Sequence, residues 1–264
     1  MPGAAAFAWV LPVSGRRATL RQPTGRDEML LLEAHGTEPA RAVAFLDALS
    51  DDALDAAALP VADADALLLL LRGALLGDRI VAETSCPAPG CGAPVDVAFG
   101  IAAFLGHHRP RTPRLRAWQV APCAVEPGWF ALRPAGAAAE AARFRLPTLG
   151  DERDAPDAVA LAARCIVPAP AAPALRRAAE AAMAVLAPSL AGPLAGACPN
   201  CGAPVSVRFD PRRYVLAELT ARAGFVADEM DVLAARYHWS EQAILDLPSP
   251  RRIAYAEMAR RAAA

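Results

Sequence analysis

Apolar residues recur with helical spacing over residues 38–49 and 63–76, and again over 156–166 and 172–186. A repeat near 3.6 residues puts one side of a helix on a core, so four helices are expected there. Strict alternation in Pro94-Val-Asp-Val-Ala-Phe99 and Pro204-Val-Ser-Val-Arg-Phe209 predicts two strands. Two further stretches, Trp9-Val-Leu-Pro-Val-Ser-Gly15 and Trp129-Phe-Ala-Leu-Arg-Pro-Ala-Gly136, are each followed by a short extended run and read as two-stranded hairpins.

Helix starts are marked by capping chemistry. Leu20-Arg-Gln-Pro-Thr24-Gly-Arg-Asp27-Glu28 and Phe144-Arg-Leu-Pro-Thr148-Leu-Gly-Asp151-Glu152 both place Thr three residues before Asp. The hydroxyl serves a free amide at a helix N-terminus while acidic side chains sit at the positive end of the dipole. Past Phe209 the chain becomes helical throughout. Asp210-Pro211 starts one helix, Gly224 breaks it, and Ser240 caps a short one carrying Ile244 and Leu245. Pro248 ends that helix, and Ser249-Pro250 opens the last.

The order hairpin, capped helix, two helices, cysteine knuckle, strand therefore occurs twice. The expectation is an α+β protein made of two duplicated β-hairpin/helical halves, residues 1–108 and 109–209, with an all-helical C-terminal tail over 210–264.

The knuckles carry the candidate chemistry. Cys86-Pro-Ala-Pro-Gly-Cys91-Gly-Ala-Pro-Val and Cys198-Pro-Asn-Cys201-Gly-Ala-Pro-Val are nearly the same phrase. Cysteines spaced by two to four residues can share one metal, and two such pairs supply the four soft ligands that tetrahedral zinc takes. Cys86, Cys91, Cys198 and Cys201 are thus the expected ligands of a structural zinc. An ordinary ribbon separates its knuckles by about 15–20 residues. Here about a hundred intervene, as expected if each half contributes one knuckle and the metal joins them, since loop-closure entropy grows slowly with length. The first knuckle has four intervening residues and the second two, so their local geometry is expected to differ.

Composition narrows the class. With 264 residues, 55% of them hydrophobic, the chain can bury a real core. A formal charge of -1 argues against a generally basic nucleic-acid coat, although every basic residue is Arg. The apolar run Ala66 to Leu71, interrupted at Arg72, is too short for a bilayer, and the Met1-Pro-Gly-Ala-Ala-Ala start lacks the charge of an export signal. A reducing cytoplasm, with cysteines on metal and not in disulfides, is the expected setting.

Four thiolates close a metal site, whereas catalytic zinc keeps an open position. His107 and His108 could act as ligands but read as solvated; Cys165 reads as core and Cys123 as a surface thiol. No nucleophile elbow or phosphate loop is present, so no catalytic residue is assigned and an enzyme is not expected. Arg251, Arg252, Arg260 and Arg261 admit an alternative, a zinc-ribbon nucleic-acid-binding regulator. The strands lack the aromatic interleaving of a single-strand platform, which disfavours nucleic acid.

One resemblance adds to this reading. Leu186-Ala-Pro-Ser-Leu-Ala191, Ala197-Cys-Pro-Asn-Cys201, Phe209-Asp-Pro, Leu233-Ala-Ala-Arg-Tyr-His-Trp-Ser-Glu241, Ile244-Leu-Asp-Leu-Pro248 and Arg251-Arg-Ile-Ala-Tyr255 resemble baseplate proteins of contractile phage tails and related injection systems. The likeness is greatest to the T-even-type baseplate hub assembly chaperone family, and the boxes at 20–28 and 145–151 resemble parts of the injection-system members. The resemblance implies a non-enzymatic assembly or structural factor, cytoplasmic or incorporated in a particle, whose partners are baseplate, hub, spike or tube proteins. It also implies that the tail, with Tyr237, Trp239, Leu247, Arg251, Arg252 and Tyr255, forms a docking surface or packs onto the ribbon.

Overall fold

In the computed structural model, residues 6–50 and 54–263 are described. The first five residues, part of the N-terminal stretch weighed above, lie outside that set. The chain is a mixed α and β protein that divides into two units. One consists of Met1–Val10, Arg17–Ala56 and Arg212–Ala264; the other of Leu11–Arg16 and Ala57–Pro211.

In the first unit, strands β1 (Ala6–Val10) and β2 (Arg17–Arg21) pair antiparallel, with Phe7 opposite Leu20. Helix α1 (Gly25–Glu33) follows from Thr24, and α2 (Glu38–Leu49) buries Ala42, Val43, Phe45, Leu46 and Leu49 at its helical spacing. The Thr37 hydroxyl accepts from the Ala40 amide at the start of α2, and Pro39 fills a position where its missing N–H costs nothing. The tail forms α8 (Pro211–Ala223), α9 (Val226–Tyr237), α10 (Glu241–Leu245) and α11 (Ser249–Ala263). The Ser240 hydroxyl caps α10 by accepting from Ala243, as its position implies. α9 ends on His238 at φ 57, a left-handed residue that halts the helix.

In the second unit, α3 (Val61–Leu76) is sequestered almost all round, with Leu67, Leu68, Leu69 and Leu71 fully buried. Hairpin β3 (Arg79–Ser85)/β4 (Pro94–Gly100) follows, then α4 (Ile101–His107). The second expected hairpin is present as β6 (Trp129–Pro134) and β7 (Ala142–Arg145), but as the middle of a larger sheet. β5 (Trp118–Pro122) adds to one side and β8 (Ile166–Val167) to the other, giving the order β5-β6-β7-β8. Helices α5 (Leu149–Asp154), α6 (Ala158–Cys165) and α7 (Pro173–Leu186) accompany it, and Leu132, Phe144, Cys165, Ile166, Ala179 and Ala182 form the core beneath. Hairpin β9 (Gly192–Ala197)/β10 (Pro204–Phe209) completes the unit.

The two Thr boxes have the same local structure. Asp27 accepts from the Thr24 amide at 2.7 Å, the Thr24 hydroxyl at 2.8 Å and both Arg21 terminal nitrogens at 2.7 Å. Asp151 accepts from the Thr148 amide and hydroxyl, both at 3.0 Å, and from both terminal nitrogens of Arg145. Each box is also closed by a Leu-Pro helix start distant in sequence. In the first unit Thr24 bridges to Pro248, and the Ser249 amide donates to the Pro23 carbonyl at 3.0 Å. In the second, Thr148 bridges to Pro60, and the Val61 amide donates to the Pro147 carbonyl at 3.1 Å. The approach is so close that a Cβ on Gly25 would stand 3.0 Å from the Leu245 Cα, and one on Gly150 2.9 Å from the Ala57 carbonyl oxygen. Leu245 and Ala57 each lie two residues before the Leu of their Leu-Pro pair.

Candidate metal centre

The turns of β3/β4 and β9/β10 build the site in the second unit. In both, the first cysteine is the last paired residue before the turn: the Cys86 amide donates to the Ala93 carbonyl and the Cys198 amide to the Ala203 carbonyl, each at 2.8 Å. In both, the residue after the second cysteine is a glycine with positive φ, Gly92 at 57° and Gly202 at 74°, which lets the chain double back. The extra residues of the first knuckle are absorbed around Gly90, at φ 79°. Val95 and Val205, four residues after the second cysteine of each knuckle, form a small buried cluster with Cys86 and Cys198. Phe99 and Phe209, four further on, meet edge to face at 5.1 Å, with Phe104 against both.

The four sulfurs of Cys86, Cys91, Cys198 and Cys201 lie within 4.8 Å of one another. Cys86 Sγ is 3.6 Å from Cys201 Sγ, and Cys91 Sγ is 3.8 Å from Cys198 Sγ. A disulfide needs about 2.05 Å, so these are free thiols. A tetrahedron with metal–sulfur bonds of about 2.3 Å has edges of about 3.8 Å, the spacing found here. The cluster can thus receive one metal ion with little movement. Cys86 and Cys198 are buried, Cys91 is half-buried and Cys201 is exposed at the rim.

Electrostatics point the same way. The Ala88 backbone favours the Cys86 thiolate, but burial and the thiols of Cys201, Cys198 and Cys91 outweigh it and push Cys86 up to about 12. Cys91 is drawn down to about 6, first by the Asn200 amide, which donates to its sulfur at 3.3 Å, then by the Ala93 backbone and Cys201. Without a cation the cluster holds one thiolate easily and resists a second beside it; a bound cation removes that repulsion. Asn200 has no place in the sequence-based ligand set. Its position inside the tight Cys-Pro-Asn-Cys turn is the signal that an amide would face the sulfurs.

Other candidates lie elsewhere. His107 is exposed at the end of α4, and the His108 ring bonds the Phe104 carbonyl at 2.9 Å, so neither joins the cluster. Cys165 is buried in the sheet core, where desolvation pushes its thiol up to about 11, and Cys123 is half-buried. In the first unit the Tyr237 and Trp239 rings stack at 5.0 Å, and Trp239 meets Tyr255 edge to face at 5.5 Å. Tyr237 and Trp239 are a little over one-third exposed, Leu247 and Tyr255 are half-buried and Arg251 is exposed. Arg252 departs from its expected surface role: it is 1% exposed, donates to Glu229 at 2.7 Å and pairs with Glu28. Its guanidinium therefore ties α11 to α9 and α1. Among the described residues no helix is long and apolar enough to cross a membrane.

The chain matches no protein-family model, no curated protein and no solved structure.

Proposed function

We propose that this chain is a non-enzymatic assembly or structural factor for the baseplate or hub of a contractile phage tail-like injection system, held in shape by a structural zinc. The observation that carries the structural part is the four-sulfur cluster, whose 3.6 and 3.8 Å spacings fit a metal with all four positions filled by protein. Cys86, Cys91, Cys198 and Cys201 would hold the ion. Four thiolates favour zinc among common divalent ions, and the ion would supply cross-linking and charge neutralisation.

The metal's role in this reading is to join two copies of one duplicated element. Cys86 Sγ lies 3.6 Å from Cys201 Sγ and Cys91 Sγ 3.8 Å from Cys198 Sγ, and Val95/Val205 and Phe99/Phe209 meet as like pairs. First-to-second and second-to-first contact is what an approximate twofold axis produces. The two Arg-Thr-Asp boxes, alike in their bonds and each closed by a Leu-Pro helix start, one from the tail and one from the first half, support the same duplication.

The assembly role rests on the tail motifs Tyr-His-Trp-Ser-Glu and Ile-Leu-Asp-Leu-Pro, and on the partly exposed Tyr237–Trp239 stack that they form. It is tested by coexpressing the chain with each hub, spike, tube and baseplate protein of its own system. Stoichiometric copurification with one of them, reduced by substituting Trp239→Ala, is expected. Binding to none of them refutes the assembly role and leaves the metal site untouched.

A further inference from the structure

Several arginines here are held by carboxylates: Arg21, Arg26, Arg143, Arg145, Arg153, Arg164, Arg176 and Arg252. The segment between α4 and β5 gathers several that are not, close together in sequence. Arg109, Arg111, Arg114 and Arg116 are exposed there, as is Arg177 on α7, and none enters an ion pair with a described residue. In a chain of net charge -1 this is a local excess of positive charge.

The excess borders two depressions in the second unit. Arg111 and Arg114 line an open groove of about 1010 Å³ whose apolar floor includes Val120 of β5, Phe130 of β6 and Val185 and Leu186 at the end of α7. Arg114 also lines a neighbouring depression of about 410 Å³, with Arg116 and Arg177. Among the described residues no carboxylate lines either. The wall is preset: Pro110 and Pro113 restrict the backbone, and the Arg111 amide donates to the Val185 carbonyl at 2.9 Å. Little backbone ordering entropy remains to oppose a ligand, so the cost of binding falls on the arginine side chains.

We propose that this arginine-lined groove is a docking site for an acidic protein segment carrying apolar side chains. Carboxylates meet the unpaired guanidinium groups, which recognise them in bidentate fashion, and apolar side chains cover the floor. Nucleic acid would satisfy the charges equally, but a single-strand groove presents a series of aromatic faces. Among the described residues the larger floor has Phe130, whose ring already stacks on Phe144 at 5.4 Å, and the smaller depression has Trp118, two separate rings and not a series. The proposal concerns the chemistry of a partner at a site apart from the cysteines and the aromatic tail, and does not depend on the assembly reading.

The test uses the full chain, fluorescence anisotropy and three labelled probes of about 15 residues or nucleotides: a repeating Glu-Glu-Leu peptide, its Gln-Gln-Leu counterpart, and oligo-dT. The expected result is preferential binding of the Glu peptide, weakening about tenfold between about 50 and 300 mM salt. R111E/R114E should reduce its affinity by about tenfold or more, and R16E/R17E, a charge change of equal size at exposed arginines away from the groove, should leave it unchanged. Equal binding of the Gln peptide, no effect of R111E/R114E, or tighter binding of oligo-dT overturns the proposal. The probe comparison on the unsubstituted chain decides the matter even if a variant misfolds.

Discussion

Replacing Asp151 with Ala removes the acceptor around which the second Thr box is built. Asp151 is 5% exposed and takes bonds from Arg145, from the Thr148 amide and hydroxyl, and from Arg164 Nε at 3.2 Å. Burial opposes its charge, but the Arg145 guanidinium and Thr148 outweigh that and hold it well below the usual carboxylate range. The lost cap costs about 1 kcal/mol. The bidentate pair contributes about 1–3 kcal/mol more, below the value of a fully buried pair because the Arg145 side chain is 26% exposed and regains water. A deficit of about 2–4 kcal/mol lowers the melting temperature by roughly 5–15 °C. Hydrogen exchange at neutral pH should place the loss at α5 and the Pro60–Thr148 bridge. A carboxylate with a depressed folded value contributes stability that is full above its unfolded value near 4 and fades as pH falls toward the folded one. The deficit of D151A should therefore be constant above about pH 5 and shrink in acid. A melting temperature within about 1 °C of the unsubstituted protein, or a deficit unchanged at pH 2, would refute the reasoning.

Three further outcomes follow from the packing. G150A drives a Cβ to 2.9 Å from the Ala57 carbonyl oxygen and should cost about 1–3 kcal/mol by thermal melting, while G196A, with nothing within 4 Å, should be tolerated far better. R252M leaves Glu28 and Glu229 facing each other without their cation, a loss of about 3–5 kcal/mol in urea unfolding at pH 7. Burial already raises Glu28 despite Ser249 and Arg252; without the cation, protonation favours the folded state, so the R252M deficit should narrow toward pH 5. F209A empties the junction with Phe99 and Phe104 and should cost about 3–5 kcal/mol, read as faster metal loss to a chelator.

Local chemistry was the legible part of this chain. Residues 38–49 form a helix over the expected span, Ser240 and the Thr148 box cap their helices, and the doubled knuckle locates four cysteines that the fold brings together. The features that escaped depend on residues far apart. β8 is two residues long, too short for a periodic signal, and exists because Ile166 finds Phe144 on β7. Arg252 looks like one more solvated arginine until Glu28, 224 residues away, is placed beside it. Nothing local in Leu59-Pro60 or Leu247-Pro248 announces that each would close a Thr box. Asn200 belongs with them: it sits beside Cys198 and Cys201, but the sulfur its amide reaches is Cys91, 109 residues away on the other knuckle.

Metal content measured together with thiol reactivity tests the central claim most directly. The account predicts one zinc per chain, the four knuckle thiols protected until a chelator is added, and loss of the metal in C86S and in C198S. A correctly folded, metal-free chain whose Cys86, Cys91, Cys198 and Cys201 react freely, and which takes up no zinc when it is supplied, would contradict it.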